Sequence, residues 1–493
     1  MGVLMSLQSM LGRNTWPPAD VLRDWERMEL FAALRDNDDT RLRQEASWPY
    51  VRPIVWSPVA RMVSRASAHL LFGEEPKITP AAESDGDNVQ RIVDGNDLPS
   101  ELHRAAVIAS SEGAVWGRIM VDPAVCDVPI IMFESARCVI PHFRGRFVVG
   151  ATFVQEYPVS SSEVYRLFVT YTAGAVSSSM YRGSGTKLGG EVALSAHPSG
   201  EGMSPVVLTG IDRPLVAFIP NSIDSDPTCG VSDYHGLEAR FLGISESSTV
   251  ALENMRLAGK MRSFVDGRYL RNGALPAGED VFVRVVDDVI PGQSDTPLQM
   301  LQYTFAGDQL TAYVEHLIDT TLQFSGIAPE LVGRNAAGGA LSGTALRMRM
   351  IHSLLENSGK GRFFDTGIAR LMRFAALVDS MRIADGGFGR KWADALTVPD
   401  VERGDGLPQD DTEAAQQVAT LAAAEAISTE AKVRWMHPEW SDDLVGAEVE
   451  AIDAMRTAAS VTTPPFTPNP LPSVGDPASL LNVPAAGAAL GAP

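Results

Sequence analysis

The chain has 493 residues, with 41 Lys and Arg against 61 Asp and Glu, a formal net charge of −20. That length accommodates several domains and at least one sizeable core, while so acidic a balance excludes a general nucleic-acid coat, which requires a basic face for counterion release. Three scattered cysteines (Cys126, Cys138, Cys229) without a CxxC pair supply neither a disulfide framework nor a zinc site, and no apolar run reaches the roughly 18 residues of a membrane span.

Residues 18–47 are predicted to be helical, with Val21, Leu22, Trp25, Met28, Leu30 and Leu34 near helical spacing. The stretch 48–56 carries two prolines and reads as an extended connector. A helix is predicted over 57–73, with Ser57 as its cap, Pro58 in the first turn and Gly73 at its end. Residues 80–100 read as a polar loop and 101–113 as a short helix. From 114 to about 220, short runs rich in Val, Ile, Phe and Tyr alternate with turn residues, the pattern of an antiparallel sheet, so this part is α+β. GSGTKLGG (183–190) lacks the GK[ST] ending of a phosphate loop and reads as a hairpin tip.

A long helix is expected over 232–265, then Pro- and Gly-punctuated segments including a strand at 281–286. A second helix follows at 308–327, with Leu310, Tyr313, Val314, Leu317, Ile318 and Leu322 as its apolar face. GRNAAGGALSG (333–343) is a small-residue loop, and the helix after it is expected to run to about Met381. An acidic connector able to add a strand leads to two further helices, 413–436 and 442–459. The Pro-rich stretch from 461 to 493, nearly without charge, is expected to be a flexible arm with no core of its own.

Catalytic signatures are missing from this pattern. The eight histidines form no HxxxH or HExxH, no GxSxG elbow occurs, and SGKG (358–361) lacks the rest of a P-loop. The sequence therefore implies no enzyme activity, no metal and no cofactor. Charge is instead segregated by region. Between Arg334 and Arg373, seven basic residues face two acids, whereas between Asp400 and Asp453 fourteen acids face three bases. The basic helix reads either as a solvated face with intrachain pairs or as a sequence-blind contact with a polyanion.

Four motifs in this order resemble the portal proteins of tailed double-stranded-DNA phages, in the branch typical of long non-contractile tails. They are SPVARMVSRASAHLLFGEEP (57–76), RPLVAFIPN (213–221), LSGTALRMRM (341–350) and DGLPQDDTEAAQQVATLAAAEAISTEAKVRWM (405–436). The resemblance implies a portal fold: an α+β wing, a two-helix stem, a small α/β clip insert, a long helix after a tunnel loop, and an α-helical crown. By position, the wing would be 1–231 with a return segment at 382–411. The stem would be 232–265 and 308–327, the clip 266–307, the tunnel loop 328–341, its helix 342–381 and the crown 412–460, followed by the tail 461–493.

In that family, copies form a ring, typically of twelve, at one capsid vertex. Double-stranded DNA enters through it, driven by a terminase ATPase, and later leaves through it. The partners implied are other copies, double-stranded DNA, the terminase large subunit, a head-completion or adaptor protein, and the major capsid and scaffold proteins, without a membrane. The location implied is the virion, with assembly in the host cytoplasm. Residues expected at the channel are Arg334, Asn335, Gly338, Gly339 and Ser342 of the loop, and Lys260 and Arg262 of the stem. Arg347, Arg349, Lys360 and Arg362 would meet DNA or a neighbouring subunit, and Arg268 and Arg271 would serve the clip. Another head–tail adaptor or minor capsid protein, or a nucleic-acid-processing enzyme with a basic cleft, would be the alternatives.

Overall fold

The structure, a computed structural model, describes residues 15–46, 54–258, 262–266, 281–284, 298–301, 307–334, 343–382, 386–404, 418–424, 426–437, 440 and 442–461. The chain divides into two compact units, Met1–Pro408 and Gln409–Pro493.

The first unit opens with α1 (Ala19–Asp36) and α2 (Asp39–Ala46). The single helix expected over 18–47 is thus two. Asn37 takes a left-handed φ of 55°, and the Asp38 carboxylate accepts from the N–H of Thr40 at 3.0 Å and of Arg41 at 3.3 Å, which starts a new helix. In α3 (Val59–Phe72) the N-cap is Pro58 without a side-chain cap, in place of the expected Ser57, and Gly73 closes the helix. After β1 (Lys77–Thr79) come α4 (Gly86–Gly95) and α5 (Leu98–Glu112). The stretch 80–100, expected as a loop, is therefore largely helical. Val89 and Ile92 are buried one turn apart, so packing of a few apolar residues overrides a polar composition.

The expected antiparallel sheet forms as two. Strands β2 (Ala114–Met120), β3 (Ile130–Ser135), β4 (Val139–Arg144), β5 (Phe147–Ser160), β6 (Glu163–Thr172), β7 (Ala175–Ser184), β8 (Lys187–Val192), β9 (Val206–Leu208) and β10 (Val216–Pro220) follow in order. One sheet runs β10-β2-β3; the other runs β4-β5-β6-β7-β8, with β9 also paired to β7. GSGTKLGG is the β7–β8 hairpin with its turn at 185–186.

Next come α6 (Glu238–Ala258), β11 (Arg262–Asp266), β12 (Val281–Arg284), β13 (Leu298–Leu301), α7 (Gly307–Phe324), α8 (Gly343–Ser380) and β14 (Asp400–Glu402). The first long helix stops at Ala258, short of the expected 265. Gly259, a poor helix former, follows it in sequence, and Arg262–Asp266 is a strand. β11 pairs with β12 in parallel and with β13 in antiparallel fashion, making a small sheet between the two helices. α6 and α7 pack on each other, and β14 pairs with β1, providing the strand expected after 382.

The main core joins α5, the β10-β2-β3 sheet and the second half of α8 through residues such as Leu102, Trp116, Phe133, Ile219, Phe364 and Leu371. The approach is close: a Cβ on Gly367 of α8 would lie 2.4 Å from Ile219, and one on Gly117 of β2 would lie 2.3 Å from Leu371. A second core gathers α1, α3, α6 and α7 around Phe31, Val63, Tyr234, Phe241 and Leu322. In the second unit, α9 (Thr429–Met436) and α10 (Asp442–Val461) pack together, and residues 418–423 are also helical. The continuous helix expected over 413–436 is interrupted before Ser428, whose hydroxyl accepts from the Ala431 N–H at 3.2 Å and caps α9.

Candidate functional site

A buried polar seam fixes the base of the α6–α7 hairpin against α8. Asp233, just before α6, accepts from Lys360 Nζ of α8 at 2.7 Å, from Ser110 Oγ of α5 at 2.7 Å and from Asn221 Nδ2 after β10 at 2.7 Å. Lys360 also donates to Ser67 Oγ of α3 at 2.8 Å. The side chains of Lys360 and Asp233 are only 7% and 8% exposed, so each charge depends on the other for its solvation. Beside them, the Tyr234 hydroxyl donates to the Ala60 carbonyl at 2.6 Å, and Asn357 Nδ2 of α8 donates to the Leu70 carbonyl at 2.8 Å. Burial pushes the Tyr234 hydroxyl well above its ordinary pKa, against the opposing hydrogen bond from Ser64, so it stays a neutral donor. The asparagine ending RPLVAFIPN thereby acquires a role: Asn221 is fully buried and also donates to the Val231 carbonyl at 3.1 Å, closing the loop ahead of α6.

Two further ionic knots brace the surrounding body. Glu112, at the end of α5, pairs with Arg35 of α1 at 3.0 Å and is bonded by Ser135. Burial alone would lower the Arg35 pKa, but hydrogen bonds and charges from Asp36 and Glu112 raise it above the usual arginine value. At the far end of α8, Asp379 is completely buried and accepts from Arg91 at 2.8 Å and from Trp392 Nε1 at 2.9 Å. Strand β14 is held to α8 by Arg403, which meets Asp365 at 2.5 Å.

The predicted site residues divide among different surroundings. Arg334 pairs with Asp319 of α7 at 2.7 Å, and Arg349 lies 3.8 Å from Glu330. Arg347 and Arg362 are exposed on α8. Lys360 is a correction: it faces its own core and is consumed by Asp233 and Ser67, so it is not available to DNA or to a neighbour. Arg262, expected on the stem, belongs to strand β11. Asn335, Gly338, Gly339, Ser342, Lys260, Arg268 and Arg271 lie outside the described residues. Charge counting missed Asp233, Ser67 and Ser110 altogether, and the only sequence signal near this seam was the asparagine of the RPLVAFIPN motif.

Two concave surfaces flank α8. One, of about 340 Å³, is lined by Gln323, Ala328, Glu330, Arg349 and His352. The other, of about 410 Å³, lies beside the second half of the helix and is lined by Arg146, Phe147, Phe218, Phe363 and Arg370. Among the described residues there is no cluster of three or more His, Cys, Asp or Glu able to hold a metal, and no helix long and apolar enough to cross a membrane.

Residues 263–461 match the family described as phage portal protein, SPP1 Gp6-like. Over that stretch the chain is similar to phage portal proteins. Among solved structures, a chain from the neck of a native GTA particle, computed with C12 symmetry, aligns at 12% identity over 77% of this chain and 89% of that chain, with a TM-score of 0.41. At that similarity it carries no further weight. No curated protein matches the chain.

Proposed function

We propose that copies of this chain assemble into a closed ring, typically of twelve, at one vertex of a phage capsid, forming the conduit through which double-stranded DNA is packaged and ejected. The observation that carries this reading is the family match across 263–461, spanning a run of elements that suits a conduit: small sheet, α7, long α8 and terminal helices. In this reading the α+β body with β14 is the wing, α6 and α7 are the stem and the small sheet is the clip. The segment ahead of α8 is the tunnel loop, and α9 and α10 belong to the crown. The clip would meet the terminase large subunit during packaging and a head-completion protein afterwards, while scaffold and major capsid proteins surround the ring as it assembles in the host cytoplasm. The chain itself performs no catalysis, since ATP hydrolysis belongs to the terminase.

A conduit must let DNA slide, so its contacts should be few, weak and blind to sequence. The chemistry available to the DNA-facing segment fits: Arg334 and Arg349 stand next to carboxylates that temper their charge, and the loop sequence between 335 and 342 offers small residues. Arg347 and Arg349 are the cations placed to brush a passing phosphate backbone or a neighbouring subunit.

Negative-stain imaging and native mass measurement of the purified chain test the reading. Closed rings of about twelve copies are expected, and monomers or dimers alone at high concentration would overturn it. Reversing both Arg347 and Arg349 to Glu should impair packaging or ring assembly while leaving the protomer folded; unchanged rings with unchanged packaging would remove these two arginines from the mechanism.

A further inference from the structure

We propose that the outer face of α8, continued by the cleft beside its C-terminal half, is a docking surface for a second copy of this chain. This rests on the ring reading above and names the surface that reading needs. The exposed positions Met348, Ile351, Leu355, Gly359, Arg362, Thr366 and Arg370 recur every three or four residues and so share one side of the helix. At a rise of 1.5 Å per residue they span about 33 Å. The opposite side, through Met350, Lys360, Phe364, Ile368 and Leu371, is buried within the same protomer. The helix is therefore fully seated, and its outward stripe is surplus to the protomer's own packing.

The stripe changes chemistry along its length. Its first part is apolar, with Met348, Ile351 and Leu355 exposed to 66%, 51% and 66%. Its middle is small: a Cβ at Gly359 would meet nothing within 4 Å, so another backbone can approach closely there. Its last part borders the cleft of about 410 Å³, where Phe147, itself 65% exposed, stands with Phe218 and Phe363. Arg146 and Arg370 rim that cleft, and neither these two nor Arg362 form an ion pair among the described residues.

Two features select the occupant. DNA gains nothing from Met348, Ile351 and Leu355, because phosphate and sugar offer no apolar counterpart; contiguous exposed apolar surface marks a protein contact. Arg146 and Arg370 at the cleft rim and Arg362 on the stripe call for an acidic counter-surface, and this chain carries 61 acids against 41 basic residues. A ring is built from heterologous contacts, in which one face of each copy meets a different face of the next. A stripe apolar at one end and basic at the other, facing an otherwise acidic copy, meets that requirement and discourages like-to-like pairing.

The experiment uses the full chain at a concentration where rings form. A photo-crosslinking amino acid is placed at Leu355 and, separately, at Arg362. Irradiation should give a product of twice the chain mass at both positions. The variant Leu355→Asp with Arg362→Glu should shift from ring to protomer in size-exclusion chromatography with light scattering, while its circular dichroism stays that of wild type. Should the aspartate impair folding, Arg362→Glu with Arg370→Glu, both at exposed sites, should raise the concentration needed for assembly by about tenfold. Crosslinks confined to one chain, or to added double-stranded DNA, would overturn the proposal. So would variants that assemble like wild type; in that event the ring reading stands and only this surface falls. A wild-type chain that never assembles would remove both.

Discussion

At the residue scale, the stability of the body hangs on a few buried charges with partners distant in sequence. Lys360→Met leaves the Asp233 carboxylate buried without its cation and should cost about 3–5 kcal/mol in chemical denaturation. The double variant with Asp233→Asn should recover much of that loss, because neither charge is then stranded. His103 gives a different signature. Burial chiefly, then the nearby charges of His69 and Arg65, hold its pKa below the usual 6.5. The folded state thus prefers neutral His103, and the unfolded chain takes up the proton first. This contribution is fully present above the unfolded pKa, and it is lost as the pH falls from there towards the folded value. Melting temperature should therefore fall between about pH 7 and pH 5, and His103→Asn should flatten that decline. An unchanged slope in the variant would assign the acid sensitivity to other groups.

At the element scale, capping and close packing decide where helices begin and what they can touch. Ser428→Ala removes the hydroxyl that accepts from Ala431 N–H and should cost the helix α9 about 1 kcal/mol. Faster amide exchange confined to the first turn of α9 would register it. Where α8 crosses the β10-β2-β3 sheet, Gly367 lets the helix approach Ile219, and Gly367→Val should destabilise the unit by about 1–3 kcal/mol through overpacking. A variant with wild-type denaturation would mean that Ile219 can swing aside. The loop after α8 is secured in a similar manner: buried Asp85 accepts from the N–H groups of Ala393 and Asp394, at 2.8 and 2.9 Å. That contact explains a fully buried aspartate in a stretch expected to be loop.

At the scale of the whole molecule, the first unit holds two extended apolar cores of its own. Truncation after Pro408 should accordingly leave its melting temperature within about 3 °C of the full chain; a large drop would show that the second unit supports it. The strong acidity also has a consequence for assembly. With a net charge of −20, protomers repel each other in solution. Ring formation should therefore become easier as salt rises towards about 0.15 M, where the Debye length shrinks to about 8 Å, provided that the apolar stripe on α8 supplies the adhesion.

Hydrophobic periodicity by itself determined that the chain is α+β, that a β-rich stretch follows several N-terminal helices, and that two helices bracket a small β insert ahead of one very long helix. Local spacing suffices for those features because a helix or strand must show an apolar face with its own period. The same signal failed at 80–100, where two apolar residues outweighed a polar composition, and at 37, where a single residue's backbone preference ended a helix. The order of four short motifs pointed to the portal family. Tertiary structure alone decided the fate of the basic helix. Lys360 and Arg362 are two residues apart and chemically alike, yet one is buried against Asp233, 127 positions away, and the other faces outward. A 3.6-residue turn places such neighbours on opposite sides, and only the packed body determines which side meets a carboxylate and which is left for a partner.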